Sequence, residues 1–180
     1  MNTQAVRHIV VGFSGCGKTT FTKELLEAKP RKVPLMVYDI NREYTKEYPE
    51  PFVNFEEFLQ DASERENTYM IFEEATIFFD SRRTEDEMKD LLVRARHTGN
   101  YIQLNFHSFS SIPKYIKNLI DYITIFNTGD SEKDVIDKFG KGKIYDAFME
   151  VRSHNNDQKY LKGANNVSIY RKTIFVYGGA

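Results

Sequence analysis

The sequence predicts an α/β fold in which a mostly parallel central sheet is flanked by helices, with a short β-rich extension at the C-terminus. Three observations support this prediction. A glycine-rich segment joins a β-branched run to a helical run, strand-like apolar runs then alternate with amphipathic helical runs, and polar residues follow several strand-like runs. In an open α/β sheet such polar residues gather at one edge, where ligands bind.

The glycine-rich segment, residues 12–19, matches the phosphate-binding pattern G-x-x-x-x-G-K-[ST] at every fixed position. Residues 9–11 predict a buried strand before it and residues 21–28 a helix after it, which is the context that the pattern requires. Glycines let the backbone turn tightly, so that successive N–H groups and the positive end of the helix face a phosphate. The predicted nucleotide-binding residues are Gly12, Ser14, Gly15, Cys16, Gly17, Lys18, Thr19 and Thr20.

Two residues at the end of this segment predict ATP and Mg²⁺ as cofactors. Lys18 is expected to reach the β- and γ-phosphates as a point charge, and the Thr19 hydroxyl is expected to ligate Mg²⁺. Cys16 is the single cysteine, which excludes an internal disulfide and is typical of a reducing compartment. We interpret it as a small side chain that fits the turn rather than as a redox switch.

The composition is that of an ordinary globular chain. The 180 residues are 41% hydrophobic and 28% charged, with a net charge of −1, so the whole molecule has no charge excess that would attract nucleic acid. The sequence shows no signal-peptide pattern and no apolar run of about 18 residues. We expect a cytoplasmic protein with a single domain over 1–180, its core over about 7–130 and its extension over about 131–180.

The second strand-like run, residues 33–39, is expected to begin at or after Pro34, since proline cannot donate to a sheet ladder. Asp39 ends this run and Glu43 lies shortly after it, so both are placed at the ligand-binding edge. A turn-capping role explains Asp39 equally well. A helix is predicted to begin at Asn54, with Glu57 in its first turn.

A pair of carboxylates follows the third strand-like run. Residues 69–72 are apolar and lead directly into Glu73 and Glu74. A buried parallel strand that delivers acids at its carboxyl end is what a Mg²⁺–nucleotide site requires opposite its phosphate loop. Glu73 is predicted to orient Mg²⁺ through water and Glu74 to polarise the attacking water. The alternative to a magnesium and catalytic site is a strand followed by an acidic turn whose carboxylates are only solvated.

Residues 84–87, Thr-Glu-Asp-Glu, predict a capping box that begins the next helix. This helix has a basic end, with Arg94, Arg96 and His97 before Gly99. In one interpretation these residues are basic because positive charge is favourable at the C-terminus of a helix, and Gly99 ends the helix. In the other, an arginine reaches the γ-phosphate of a neighbouring subunit.

The strand predicted over residues 101–106 ends at His107. Asn105 and His107 share one side of the strand by alternation, and His107 lies at its tip. A lone histidine is more often structural, but this position favours His107 as the residue that senses the γ-phosphate.

The last third of the chain predicts both helices and strands. A strand is expected over 121–126, and a helix is expected to begin at Ser131 with Asp134 in its first turn. Further on we predict a helix over 144–151, a polar loop over 152–158, and strands over 159–161 and 167–177 around the turn residues Asn165 and Asn166.

The order of these motifs resembles the FtsK–HerA superfamily of P-loop ATPases. It is most similar to the small genome-packaging ATPases of viruses and phages and to the related Zot-like proteins of filamentous phages. The resemblance covers about residues 7–130. It is carried by the phosphate loop, D-I-N-R-E-Y at 39–44, the acidic pair, R-A-R-H-T-G at 94–99, and S-F-S-S-I-P at 108–113. It implies a P-loop NTPase fold of the ASCE type (additional strand, catalytic glutamate).

The resemblance also implies roles for individual residues. It assigns Thr19 and Glu73 to binding of Mg²⁺. His107 stands where most members of the superfamily carry glutamine. The sequence does not choose between the two arginines that fall near the family's arginine finger. The expected catalytic residues are Lys18, Glu74, His107 and one of Arg94 and Arg96.

Members of this superfamily work as homo-oligomeric rings, so we expect a hexamer or pentamer with ATP sites at subunit boundaries. Nucleic acid, expected as double-stranded DNA, would pass through the pore. One subunit makes few phosphate contacts, and several subunits around one duplex would multiply them. A capsid vertex protein is a further expected partner, with the host cytoplasm or the virion as the location. The pore candidates are Arg82, Arg83, Lys114 and Lys117.

The predicted function is an ATP-hydrolysing DNA translocase that packages a viral genome. A Zot-like assembly NTPase without motor activity is one alternative, although such proteins usually carry a membrane span. A small nucleotide or metabolite kinase is another, but it needs no water-activating glutamate at position 74. A regulatory GTPase is disfavoured because Asn127-Thr128-Gly129-Asp130 lacks the lysine of N-K-x-D.

Overall fold

The computed structural model describes residues 5–79, 81–160 and 170–176. Six strands in these ranges form one sheet: β1 Val6–Val11, β2 Leu35–Tyr38, β3 Tyr69–Phe72, β4 Tyr101–Phe106, β5 Tyr122–Ile125 and β6 Lys172–Phe175. Their order in the sheet is β2-β3-β4-β1-β5-β6. Neighbouring strands are parallel except for β5 and β6, which are antiparallel. The predicted α/β fold with a mostly parallel sheet is confirmed.

Helices cover both faces of this sheet. They are α1 Lys18–Ala28, α2 Phe55–Ser63, α3 Arg82–Thr98, α4 Glu132–Phe139 and α5 Lys143–Tyr160, with short 3₁₀ helices at Ala75–Phe79 and Lys114–Asn118. Strand alternation sends Ile9 and Val11 into one apolar core with α2 to α5, and sends Val10 to the other face, where it packs with Phe21 of α1. None of the helices in the described ranges is long and apolar enough to cross a bilayer.

The position of β4 between β1 and β3 brings the candidate site together. Val11 pairs with Phe106, and Phe72 pairs with Leu104, so the three carboxyl ends are neighbours. The phosphate loop leaves β1, the acidic pair leaves β3 and His107 leaves β4 at the same edge of the sheet. Strand order alone therefore assembles three segments that are far apart in the sequence.

Several predicted helix ends are confirmed by their hydrogen bonds. The Asn54 side chain accepts from the backbone N–H of Glu57 at the start of α2. Ser131 and Asp134 form a reciprocal capping box at the start of α4. Gly99 ends α3 in the left-handed region, with φ 68°, where glycine is favoured.

The predicted capping box at residues 84–87 is wrong. Helix α3 begins two residues earlier, at Arg82, and residues 84–87 lie inside its first turns. The cap is Ser81, whose hydroxyl accepts from the backbone N–H of Thr84. Both residue types favour the cap position, and here Thr84 lies in the first turn instead, where its hydroxyl donates to the Ser81 carbonyl oxygen at 3.0 Å.

The predicted loop at residues 152–158 is also wrong, because α5 continues through it to Tyr160. These residues are mostly polar and lack apolar periodicity, so the sequence gives no sign of a helix there. The strand predicted over 159–161 is wrong for Lys159 and Tyr160, which belong to α5. The strand predicted over 167–177 contains β6, while the proposed turn at Asn165 and Asn166 lies outside the described residues. The described part of the extension is therefore mainly helical and adds one strand.

Candidate active site

The phosphate loop is shaped by its glycines. A Cβ on Gly12 would lie 2.5 Å from the Cys16 sulfur and 2.6 Å from the Phe126 Cβ, so only glycine fits there. Gly15 and Gly17 have φ values of 78° and 98°, in the left-handed region that other residues rarely adopt. These turns lead into α1, whose first N–H groups have no partner within the helix and suit an anion.

Cys16 belongs to the phosphate loop, but its side chain packs behind the loop and does not border the cavity. Its side chain is buried in a small apolar cluster with Val10, Phe21 and Phe126, and burial raises the pKa of its thiol. A thiol in such surroundings is poorly ionised, and therefore a weak nucleophile.

Lys18 connects the phosphate loop to His107. Its ammonium group donates to the carbonyl oxygens of Gly12, at 2.6 Å, and Phe13, at 3.2 Å, and lies 3.4 Å from Nδ1 of His107. On its other side, Nε2 of His107 contacts Oε1 of Glu74. Since an ammonium group only donates, and a carboxylate only accepts, this arrangement favours the tautomer with its proton on Nε2. His107 thus links the loop lysine to the predicted catalytic glutamate.

Glu73 is a buried carboxylate held by two donors. It is only 5% exposed, and its Oε2 accepts from the Tyr44 hydroxyl at 2.7 Å and the Asn105 amide at 2.6 Å. Burial raises the pKa of Glu73, and these two hydrogen bonds oppose that effect by favouring the charged form. The carboxylate therefore has a fixed position at the edge of the sheet.

Glu74 has an unusual backbone conformation. Its φ of 58° lies in the left-handed region, which costs free energy for a residue with a side chain. Its side chain is 28% exposed and contacts His107. Such conformations persist where the surrounding structure requires them, and they are concentrated at functional sites.

These groups border one cavity of about 220 Å³. Among the predicted site residues it brings together Ser14, Gly15, Gly17, Lys18, Thr19, Thr20, Glu73, Glu74 and His107. Gly12 and Cys16 lie behind it. Two further residues border it, Asn41 and Glu43 from the segment that follows β2. A larger cavity of about 400 Å³ lies between α2 and α3 and contains none of the loop or acidic-pair residues.

The oxygen donors in the smaller cavity fit a magnesium ion. The Thr19 hydroxyl and the carboxylates of Glu43 and Glu73 all border it. Mg²⁺ prefers such hard oxygen ligands, and proteins usually hold it with one or two carboxylates together with substrate phosphates and water.

The structure adds two residues that the sequence did not identify as part of the site, and it gives a contact to a third, Glu43, which the sequence already placed at the ligand-binding edge. Tyr44 and Asn105 hold Glu73, and Glu43 accepts a hydrogen bond from Thr19 at 3.1 Å. A signal was present in each case: Asn105 shares a strand side with His107, and residues 43 and 44 follow a strand at the ligand-binding edge.

Neither candidate arginine borders the cavity at the phosphate loop. Arg94 and Arg96 are in the last turns of α3, which lead into the start of β4, at the edge of the sheet opposite the phosphate loop. Arg94 pairs with Asp90 at 2.8 Å.

The strand order and the phosphate loop define the fold class, that of the P-loop NTPases. No protein-family profile matches the sequence, and no curated protein does. Among solved structures, the chain is similar to B204, the DNA-packaging ATPase from Sulfolobus turreted icosahedral virus, with a TM-score of 0.66 and 18% identity over 85% of this chain and 89% of that one. It is likewise similar to the genome-packaging NTPase B204 from Sulfolobus turreted icosahedral virus 2 in complex with AMPPCP, with a TM-score of 0.66 and 19% identity over 84% and 88% of the two chains. At this level of identity the likeness shows the fold.

Proposed function

We propose that this protein is a Mg²⁺-dependent ATPase that uses hydrolysis to move DNA, most specifically to package a viral genome. The observation that carries the proposal is the contact of Glu74 with His107, which lies 3.4 Å from the phosphate-loop lysine. A carboxylate in this place is suited to accept a proton from water that attacks the γ-phosphate.

Each residue of the cavity has a task in this reaction. The loop N–H groups and Lys18 bind the phosphates and offset their charge. Glu74 accepts the proton of the attacking water, and His107 holds the Glu74 carboxylate in place through Nε2. Thr19 and Glu73 would hold Mg²⁺, which supplies charge neutralisation at the β- and γ-phosphates when it is bound.

Packaging is proposed from the likeness in fold to the two B204 proteins, whose names describe DNA or genome packaging. A subunit with a net charge of −1 makes few phosphate contacts alone, so we propose a homo-oligomeric ring around DNA. The four proposed pore residues, Arg82, Arg83, Lys114 and Lys117, are all exposed. An arginine from a neighbouring subunit, Arg94 or Arg96, would complete the site.

The proposal is tested by the ATPase rate with and without double- and single-stranded DNA, measured on an assembly of known mass. We expect an oligomer whose turnover rises when DNA is added, and Lys18→Ala is expected to abolish turnover in both conditions. Unchanged turnover on DNA in a confirmed oligomer would contradict translocation and favour an assembly NTPase. Transfer of labelled phosphate to a small hydroxyl acceptor would instead identify a kinase.

A further inference from the structure

The Thr19 hydroxyl donates a hydrogen bond to Oε2 of Glu43 at 3.1 Å. A hydroxyl that ligates a cation uses the lone pairs of its oxygen, so its single proton must go to another acceptor. Glu73 borders the same cavity, but its Oε2 already accepts from Tyr44 and Asn105. Glu43 therefore provides the acceptor for Thr19 in this molecule.

The segment that carries Glu43 is fixed on both sides. The Lys23 ammonium group of α1 donates to the backbone carbonyl of Glu43 at 2.6 Å. The next residue, Tyr44, is fully buried, and its N–H donates to Oδ2 of Asp39 at 2.9 Å. Since the backbone is held at these points, the Glu43 side chain, although exposed, is kept beside the phosphate loop.

We propose that Glu43 is a positioning residue for the divalent cation that accompanies the nucleotide. It accepts the proton of Thr19 and so directs the lone pairs of that hydroxyl into the cavity. The inference rests on the proposed function, because it concerns the same nucleotide site. Glu43 and Glu73 border one cavity and repel each other, and the negative charge of Glu43 helps to raise the pKa of Glu73. A divalent cation in this cavity offsets that repulsion.

The test is a double-mutant cycle on the Mg²⁺ dependence of AMPPCP binding, measured by calorimetry. Glu43→Ala is expected to raise the Mg²⁺ concentration at half-saturation by about tenfold, the usual effect of removing a partner of a metal ligand. In a Thr19→Ala background, Glu43→Ala is expected to have no further effect, since no hydroxyl remains to be oriented. Glu50→Ala is the matched control, because Glu50 is an exposed carboxylate on the same segment between β2 and α2. It is expected to leave the Mg²⁺ dependence unchanged.

Three results would overturn the inference. The losses in Thr19→Ala and Glu43→Ala would be additive, or Glu43→Ala would weaken AMPPCP binding equally with and without Mg²⁺, or binding to the wild-type protein would not depend on Mg²⁺. The readout is binding rather than hydrolysis. A protein that shows the expected coupling but hydrolyses no ATP would therefore count against the proposed function and not against this role of Glu43.

Discussion

The Tyr44 hydroxyl donates a 2.7 Å hydrogen bond to the Glu73 carboxylate, and both side chains are buried. This contact joins the segment that follows β2 to the end of β3. It fixes the carboxylate proposed for Mg²⁺, and it holds Tyr44, the residue after Glu43, against the end of β3.

Tyr44→Phe removes this hydrogen bond and little else. The free energy of unfolding is expected to fall by about 2 kcal/mol, because the buried carboxylate keeps only the Asn105 donor. The Mg²⁺ concentration needed for half-maximal turnover is expected to rise. Tyr48→Phe, at a half-buried tyrosine of the same segment, is the control and should change stability by less than about 0.5 kcal/mol in urea denaturation. Equal effects of the two substitutions would contradict the role of Tyr44.

His107→Ala separates binding from chemistry. The Glu74 carboxylate loses its partner, so kcat is expected to fall by about 100-fold, while AMPPCP affinity stays within about threefold of wild type. His97→Ala, at the exposed end of α3, is the matched control and should leave kcat unchanged. A loss of AMPPCP affinity that accounts for the whole effect would show that His107 serves binding instead.

The buried His8 predicts a loss of stability in acid. It contacts the hydroxyls of Tyr101 and Thr124 at 2.7 and 2.8 Å, and burial lowers the pKa of His8 from 6.5 to about 4. Between these values the unfolded chain binds a proton that the folded chain does not, so stability falls as pH decreases through this window. The slope is about 1.4 kcal/mol per pH unit for one proton.

Urea denaturation from pH 7 to pH 4 measures this slope. The difference between wild type and His8→Gln should shrink as pH falls, because glutamine does not titrate. His97→Gln is the control, since His97 is exposed, and its curve should run parallel to that of the wild type. A His8→Gln curve parallel to that of the wild type would contradict the prediction.

The proposed arginine in trans is tested by mixing two inactive proteins. Lys18→Ala subunits retain their arginines, and Arg94→Ala or Arg96→Ala subunits retain their phosphate loops. Mixed rings are expected to regain part of the turnover for the arginine that acts in trans, because an arginine supplied this way contributes about 10³- to 10⁵-fold in NTPases that use one. If neither mixture regains turnover, neither Arg94 nor Arg96 acts in trans.

The local parts of the fold could be predicted from the sequence. The bounds of β4 and the caps at Asn54 and Ser131 follow from alternation and from side-chain hydrogen bonds within a few residues. The polar end of α5 could not, because a run of polar residues has no apolar periodicity that would indicate a helix. The competition between Ser81 and Thr84 for one cap depends on the chain before the helix.

The site was predictable where it follows strand ends and not where it depends on contacts across the fold. Parallel strands bring their carboxyl ends to one edge, so Glu73, Glu74 and His107 could be placed near the phosphate loop in advance. The bonds of Tyr44 to Glu73 and of Thr19 to Glu43 depend on how the segment after β2 folds back over α1. No local pattern encodes that path.

Glu74→Gln tests the proposed water-activating role most directly, because it keeps the shape of the side chain and removes its charge. We expect ATP turnover to fall by at least about 100-fold while the Kd for ATP stays within about threefold of wild type. Turnover within about threefold of wild type, in protein that binds ATP normally, would contradict the role of Glu74 in activating water.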